Sequence, residues 1–412
     1  MYEFVVKLLL DEGARLIHTT NRMLGKTLKS LEGDYPFMHS EVSLDGKTAF
    51  ELALTGSCTA KRGACIFSTE GLYDALDPVM SSAYIGITGG FLVLCMREIE
   101  EEATPVGLFS KLPVLVAEGA EELARAVRFG YAISEKYEIP VVIQSAIHPG
   151  ESIRGVGGPD RKTGTRSHEI REANFIKNPD RWAATPKFRY DLHRQLNEKI
   201  EKIREEFEAY EGNVITKKGG TGIITYTRSA AEFFDDDASM LCLSTVFPLP
   251  LKLIEAFLAD MDEVFIAEGS YPIIELQISD RSKIIRGPAF GAKTKTKPEE
   301  IMYGFKVIRD TLGAASSINM AHGVKKKEPG IKILAVTFED YFFQAGMPAL
   351  VNTMYNGSAY VLLILAATRE NEMQRIMEAC GCRVFFHIDN PAEIERFKDS
   401  NEMTVLFYKG IV

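Results

Sequence analysis

The sequence predicts an α/β protein in three parts, each built on a parallel sheet with helices on both faces. Two patterns carry the prediction. Short runs that are apolar throughout, such as residues 64–67 and 90–95, read as strands buried on both sides, as in parallel sheets. Between them lie longer stretches with apolar positions at helical spacing, the alternation that marks βα units. A chain of 412 residues also fits two or three domains at about 150 residues each.

In the first part, 1–148, strand 64–67 is followed by a polar turn and a helix over 72–84. Strands follow at 90–95 and 113–116. Residues 119–137 place Leu123, Ala126, Val127, Tyr131 and Ile133 on one helical face, and 140–143 is a fourth strand. From 149 to 187 glycine, proline and basic residues accumulate around Trp182, the single tryptophan, which predicts a long surface connection. It leads into a helix at 189–210 that buries Leu192, Leu196, Ile200, Ile203 and Phe207, while its charged residues form a solvated face. The connection and helix occupy 149–212. The second part, 213–291, has strands at 222–226, 240–243 and 263–267 and a helix at 250–261. The third, 292–412, has helix 298–312, strands 332–336 and 360–365, helix 369–379, and strands 383–386 and 404–408.

Hydrophobic residues make up 46% and charged residues 25%, which excludes a disordered or fibrous chain. The formal charge of −9 argues against a nucleic-acid binder. The N-terminal apolar run 4–10 is broken by Lys7 and is too short to span a membrane. Six scattered cysteines make no disulfide framework, so reduced thiols in a cytoplasm are expected.

Most local motifs read as structure rather than chemistry. Lys325, Lys326 and Lys327 read as a solvated loop, and Glu98, Glu100, Glu101 and Glu102 as a surface loop, like Asp235, Asp236 and Asp237. Cys380-Gly381-Cys382 lacks the further ligands that zinc or an iron–sulfur cluster needs, so buried thiols are expected there. The seven histidines form no local signature. Gly219, Gly220 and Gly222 precede a strand instead of joining a strand to a helix, a poor phosphate cradle.

Longer stretches carry a family resemblance. Residues 41–51 (EVSLDGKTAFE), 75–91 (ALDPVMSSAYIGITGGF), 134–143 (SEKYEIPVVI) and 177–186 (KNPDRWAATP) are the first four. Residues 245–258 (TVFPLPLKLIEAFL) and 342–356 (FFQAGMPALVNTMYN) complete the set. In order and wording they resemble the alpha subunits of indolepyruvate ferredoxin oxidoreductase, a thiamine-diphosphate-dependent 2-oxoacid oxidoreductase family. The resemblance implies three doubly wound domains: pyrimidine-like, transketolase-C-terminal-like, and a reduced diphosphate-like domain. It also implies thiamine diphosphate and Mg²⁺ as cofactors, electron exit through iron–sulfur clusters, and assembly as dimers with a beta-type subunit.

The sequence departs from the family pattern where the chemistry is done. The family's activating glutamate falls on Gly46, leaving Glu41 and Asp45 as substitutes. The family's Gly-Asp motif falls on Phe338-Glu339, and its Asp-Asn pair on Ala366-Ala367, so the metal-ligating amide is replaced by a methyl group. No ferredoxin-type cysteine runs occur in this sequence, so no cluster is expected in it.

The expectation is a catalytically degenerate relative acting as a structural, regulatory or ligand-binding subunit in the cytoplasm. It would be a homo-oligomer or pair with a beta-type subunit, with a small molecule held in the cleft between first and last domains, and without nucleic acid or membrane. The alternative is an active oxidoreductase using Glu339 and Asp340 as metal ligands and Glu41 as the acid. A third reading is another reaction class in which Ser68, Thr69 and Glu70 line the cleft; helix capping competes for those residues.

Overall fold

The computed structural model describes residues 1–96, 102–146, 182, 185–228, 230, 237–269, 271–286 and 301–411. The connection around 149–181, with most of the 177–186 stretch, lies outside them, as do Glu98, Glu100, Glu101, Asp235 and Asp236. The chain forms three mostly parallel sheets in two compact units, Met1–Ala292 and Lys293–Val412.

The first unit holds two sheets. One has seven strands: β1 (Leu16–Thr19), β2 (His39–Val42), β3 (Gly63–Phe67), β4 (Phe91–Met96), β5 (Val114–Glu118), β6 (Val141–Ala146) and β10 (Thr245–Phe247), ordered β10-β5-β6-β4-β3-β1-β2. Only β10 is antiparallel to its neighbour, β5. The central strands β3, β4 and β6 are buried along nearly their whole length, the physical counterpart of their unbroken apolar runs. The other sheet has β7 (Val214–Thr216), β8 (Thr221–Thr225), β9 (Ser239–Cys242), β11 (Glu263–Ala267) and β12 (Ile284–Arg286), ordered β12-β11-β8-β9-β7. One continuous core joins both sheets, with Phe50, Phe91 and Tyr131 beside the first and Ile224, Phe257 and Ile266 in the second. The helix Pro186–Glu208 contributes Leu196, Ile200, Ile203 and Phe207 to that core, the face read from its spacing.

The second unit holds β13 (Ile301–Met302), β14 (Phe305–Arg309), β15 (Ile333–Phe338), β16 (Val361–Leu365), β17 (Val384–Ile388) and β18 (Thr404–Tyr408), ordered β13-β14-β15-β16-β18-β17. Alternate residues divide between two cores. Ile333, Ala335, Leu362 and Ile364 face one layer, while Leu334, Val336, Leu363 and Leu365 face the other.

Four expectations are corrected. The helix expected over 298–312 is replaced, where described, by the antiparallel pair β13–β14. Its two turn residues, Tyr303 and Gly304, have φ of 52° and 77°, the left-handed pair that a tight hairpin needs and a helix forbids. Lys325–Lys327 is the last turn of the helix Ser316–Lys327, where its cations face the negative end of the helix dipole. The helix expected over 72–84 is two helices, Thr69–Asp74 and Leu76–Ile85, meeting at Ala75. Glu102 is buried, not on a surface loop. Among the described residues no helix is long and apolar enough to cross a membrane.

Candidate functional site

The C-terminal ends of β1, β2 and β3 carry the first group of candidate residues. Asp45 precedes the helix Gly46–Cys58 and caps it: the backbone N–H and hydroxyl of Thr48 donate to its two carboxylate oxygens, each at 2.8 Å. Asp45 is therefore committed to holding a helix end. Gly46 is buried where that helix meets the helix Thr69–Asp74, and a Cβ placed on it would lie 1.9 Å from the carbonyl oxygen of Gly71. The position that the resemblance assigns to the family's glutamate has no room for a side chain in this packing.

Glu41 lies on the outermost strand, exposed and in register with His18 of β1. His18 is buried, and among the described residues neither ring nitrogen has a hydrogen-bond partner; burial holds it below the usual histidine range, while Glu41 acts in the opposite sense. Ser68 caps the next helix by accepting from the N–H of Gly71 at 3.3 Å, whereas the buried hydroxyl of Thr69 has no partner among the described residues. Glu70 is half-buried in the first turn of the same helix. Asp45, Gly46, Ser68 and Thr69 thus gather where these two helices begin, and the capping role accounts for Asp45 and Ser68.

The second group lies in the other unit, at the ends of β15 and β16. Glu339 is 2% exposed at the start of a short helical turn after β15. Its Oε1 accepts from the Thr368 hydroxyl and from Arg369 Nε, each at 3.0 Å. Its Oε2 accepts from the Arg369 backbone N–H at 2.8 Å and from the Thr368 N–H. The Arg369 guanidinium stacks 3.6 Å above the Phe343 ring, and its Nη2 lies 3.7 Å from the exposed Asp340. Phe338 is partly exposed. Ala366 has a φ of 51°, and its N–H donates to the Gly410 carbonyl, while buried Ala367 donates to that of Tyr408. An alanine is strained in that left-handed backbone, where glycine, asparagine or aspartate is at home.

These residues do not fit Mg²⁺. A carboxylate offers about four lone-pair directions, and those of Glu339 are met by donors from Thr368 and Arg369. The guanidinium already supplies the positive charge that a cation would bring, and Ala366 and Ala367 offer no side-chain oxygen. Among the described residues no three His, Cys, Asp or Glu side chains converge to hold a metal. Cys382 is buried and its thiol is pushed up to about 12 by that burial, so it is no ready nucleophile or thiolate ligand.

Two arrangements escaped sequence reasoning. The Glu339–Arg369 pair joins residues thirty positions apart, and only the placement of Arg369 two residues after the alanine pair hinted at it. The other is a carboxylate and tyrosine group formed by Glu102, Tyr226 and Glu268, drawn from three distant segments with no shared local pattern.

The structure aligns with 2-oxoglutarate:ferredoxin oxidoreductase from Magnetococcus marinus, solved with 2-oxoglutarate, coenzyme A and succinyl-CoA bound. The TM-score is 0.51 at 14% identity, over 70% of this chain and 60% of that one, so the fold is that of the 2-oxoacid:ferredoxin oxidoreductases. No family model matches the chain. Indolepyruvate oxidoreductase subunit IorA of Pyrococcus abyssi is 25% identical over 440 aligned positions, 80% of this chain and 67% of that one. The IorA subunit of Pyrococcus horikoshii is 31% identical over 262, 58% of this chain and 40% of that one. The chain is a distant homologue of indolepyruvate oxidoreductase subunit IorA, and it spans two fifths to two thirds of the length of these two relatives.

Proposed function

We propose that this chain is a catalytically degenerate relative of the 2-oxoacid oxidoreductase subunits, acting as a structural, regulatory or ligand-binding subunit of a cytoplasmic complex. The observation that carries the reading is the closed ion pair of Glu339 and Arg369, which occupies the position the resemblance assigns to a metal ligand. The packing of Gly46 against Gly71 supports it, since no acid can be placed there to assist a bound pyrimidine. Without such an acid, a general acid/base step worth typically 10²–10⁴-fold is forgone. The partner implied by the resemblance is a second copy of the chain or a beta-type subunit.

The test is calorimetric titration of the purified protein with thiamine diphosphate, with and without Mg²⁺. No Mg²⁺-dependent heat in the micromolar range is expected. Micromolar Mg²⁺-dependent binding that Glu339→Gln abolishes would overturn the degenerate reading in favour of the alternative, an active oxidoreductase.

A further inference from the structure

The two sheets of the first unit meet at the C-terminal ends of their strands, and a buried chain of hydrogen bonds joins them. Glu102 follows β4 of the first sheet; Tyr226 follows β8 and Glu268 follows β11 of the second. The Tyr226 hydroxyl donates to Glu102 Oε1 at 2.6 Å and accepts from the Gly269 backbone N–H at 2.8 Å. Gly269 leaves space for this approach: a Cβ there would lie 1.8 Å from Glu102 Oε1 and would displace the Glu102 carboxyl group. Glu268, one residue before, is only 6% exposed. It accepts from the N–H of Ile274 at 2.6 Å and, more loosely, from that of Glu275 at 3.3 Å. Both bonds fall within the turn that follows β11, so the carboxyl group pins that turn beside Gly269 and the tyrosine joint.

We propose that Glu268 is a proton-operated latch on this joint: protonated, it stays seated under the 273–278 turn, and ionised, it is driven toward water and loosens the contact between the two sheets. Among the described residues, the titratable and charged groups around it are Glu102, Tyr226, and Glu275 with its partner Arg281, whose Nη1 lies 3.3 Å from the Glu275 carboxylate. Burial disfavours the charged form most strongly, and Glu275 and Glu102 add repulsion. The two backbone N–H donors oppose these effects and lose, leaving the carboxyl raised from 4.5 to about 7. A carboxyl raised in the closed state holds the joint most firmly below 4.5, and that hold is lost as pH climbs through about 7. Over that window the opening constant rises about tenfold per pH unit, roughly two orders of magnitude in all, and is level beyond it.

The experiment is amide hydrogen exchange on the full chain from pH 4.5 to 8.5, corrected for the pH dependence of chemical exchange. Protection of Gly269, Ile274 and Glu275 is expected to fall about a hundredfold up to neutrality and then level off, and Glu268→Gln should abolish the slope. A flat profile in the unaltered protein, or a slope surviving in Glu268→Gln, overturns the latch. Tyr226→Phe supplies a second reading should the glutamine variant fail to fold. It should lower Gly269 protection at every pH while keeping the slope, and unchanged Gly269 protection would remove the joint from the proposal.

Discussion

His18 shows how much one buried polar side chain can set. Its ring sits in the core with neither nitrogen bonded to any described residue, and such an unmade hydrogen bond costs about 1–3 kcal/mol. Its lowered pKa gives the sign of the pH effect. The neutral ring is the form the fold tolerates, so its contribution is intact above 6.5 and lost as pH falls below that value. His18→Leu is expected to leave stability at pH 8 unchanged or higher and to gain on the unaltered protein at pH 5, read from denaturant midpoints. Curves that stay parallel from pH 8 to pH 5 would refute the assignment. Glu339 is the opposite case, a buried carboxylate whose donors are all at hand, and that is why it serves as an anchor for residues 368–369 instead of a cation ligand.

At the scale of elements, the helices Gly46–Cys58 and Thr69–Asp74 come together so closely that only a glycine fits between them. Gly46→Ala places a methyl group against backbone, which cannot rotate away as a flexible side chain would. Overpacking of this kind costs about 1–3 kcal/mol or more, so a fall in thermal stability with retained secondary structure is expected. A variant as stable as the original would show that the two helices part easily. The helix expected over 298–312 is absent for a different reason, where the chain is described. Apolar residues there recur at a spacing that a helix also satisfies, and the decision came from two left-handed residues and from pairing with β15, a partner distant in sequence.

Among the described residues, the first unit has one large core spanning its two sheets and a small cluster around Ile223 and Ala267, and the second has a core on either side of its sheet. Compact units with cores of their own are expected to melt as separate cooperative steps. In calorimetric scans, Glu339→Gln should lower one transition and leave the other in place. Breaking one side of a buried ion pair costs about 3–5 kcal/mol, enough to resolve the shift. A single transition moving as a whole would mean that the units are coupled.

The sequence by itself determined the α/β class, most strand positions and the buried faces of the long helices, because periodicity and apolar runs are local properties of the chain. It also carried the family resemblance, and with it the places where Gly46, Ala366 and Ala367 depart from the pattern. Only the tertiary structure decided that Glu339 is neutralised by Arg369, that Gly46 has no room beside it, and that Glu102, Tyr226 and Glu268 meet. Those facts depend on which distant segments share a desolvated space, where charge, room and hydrogen-bond partners are set by neighbours that no local pattern names.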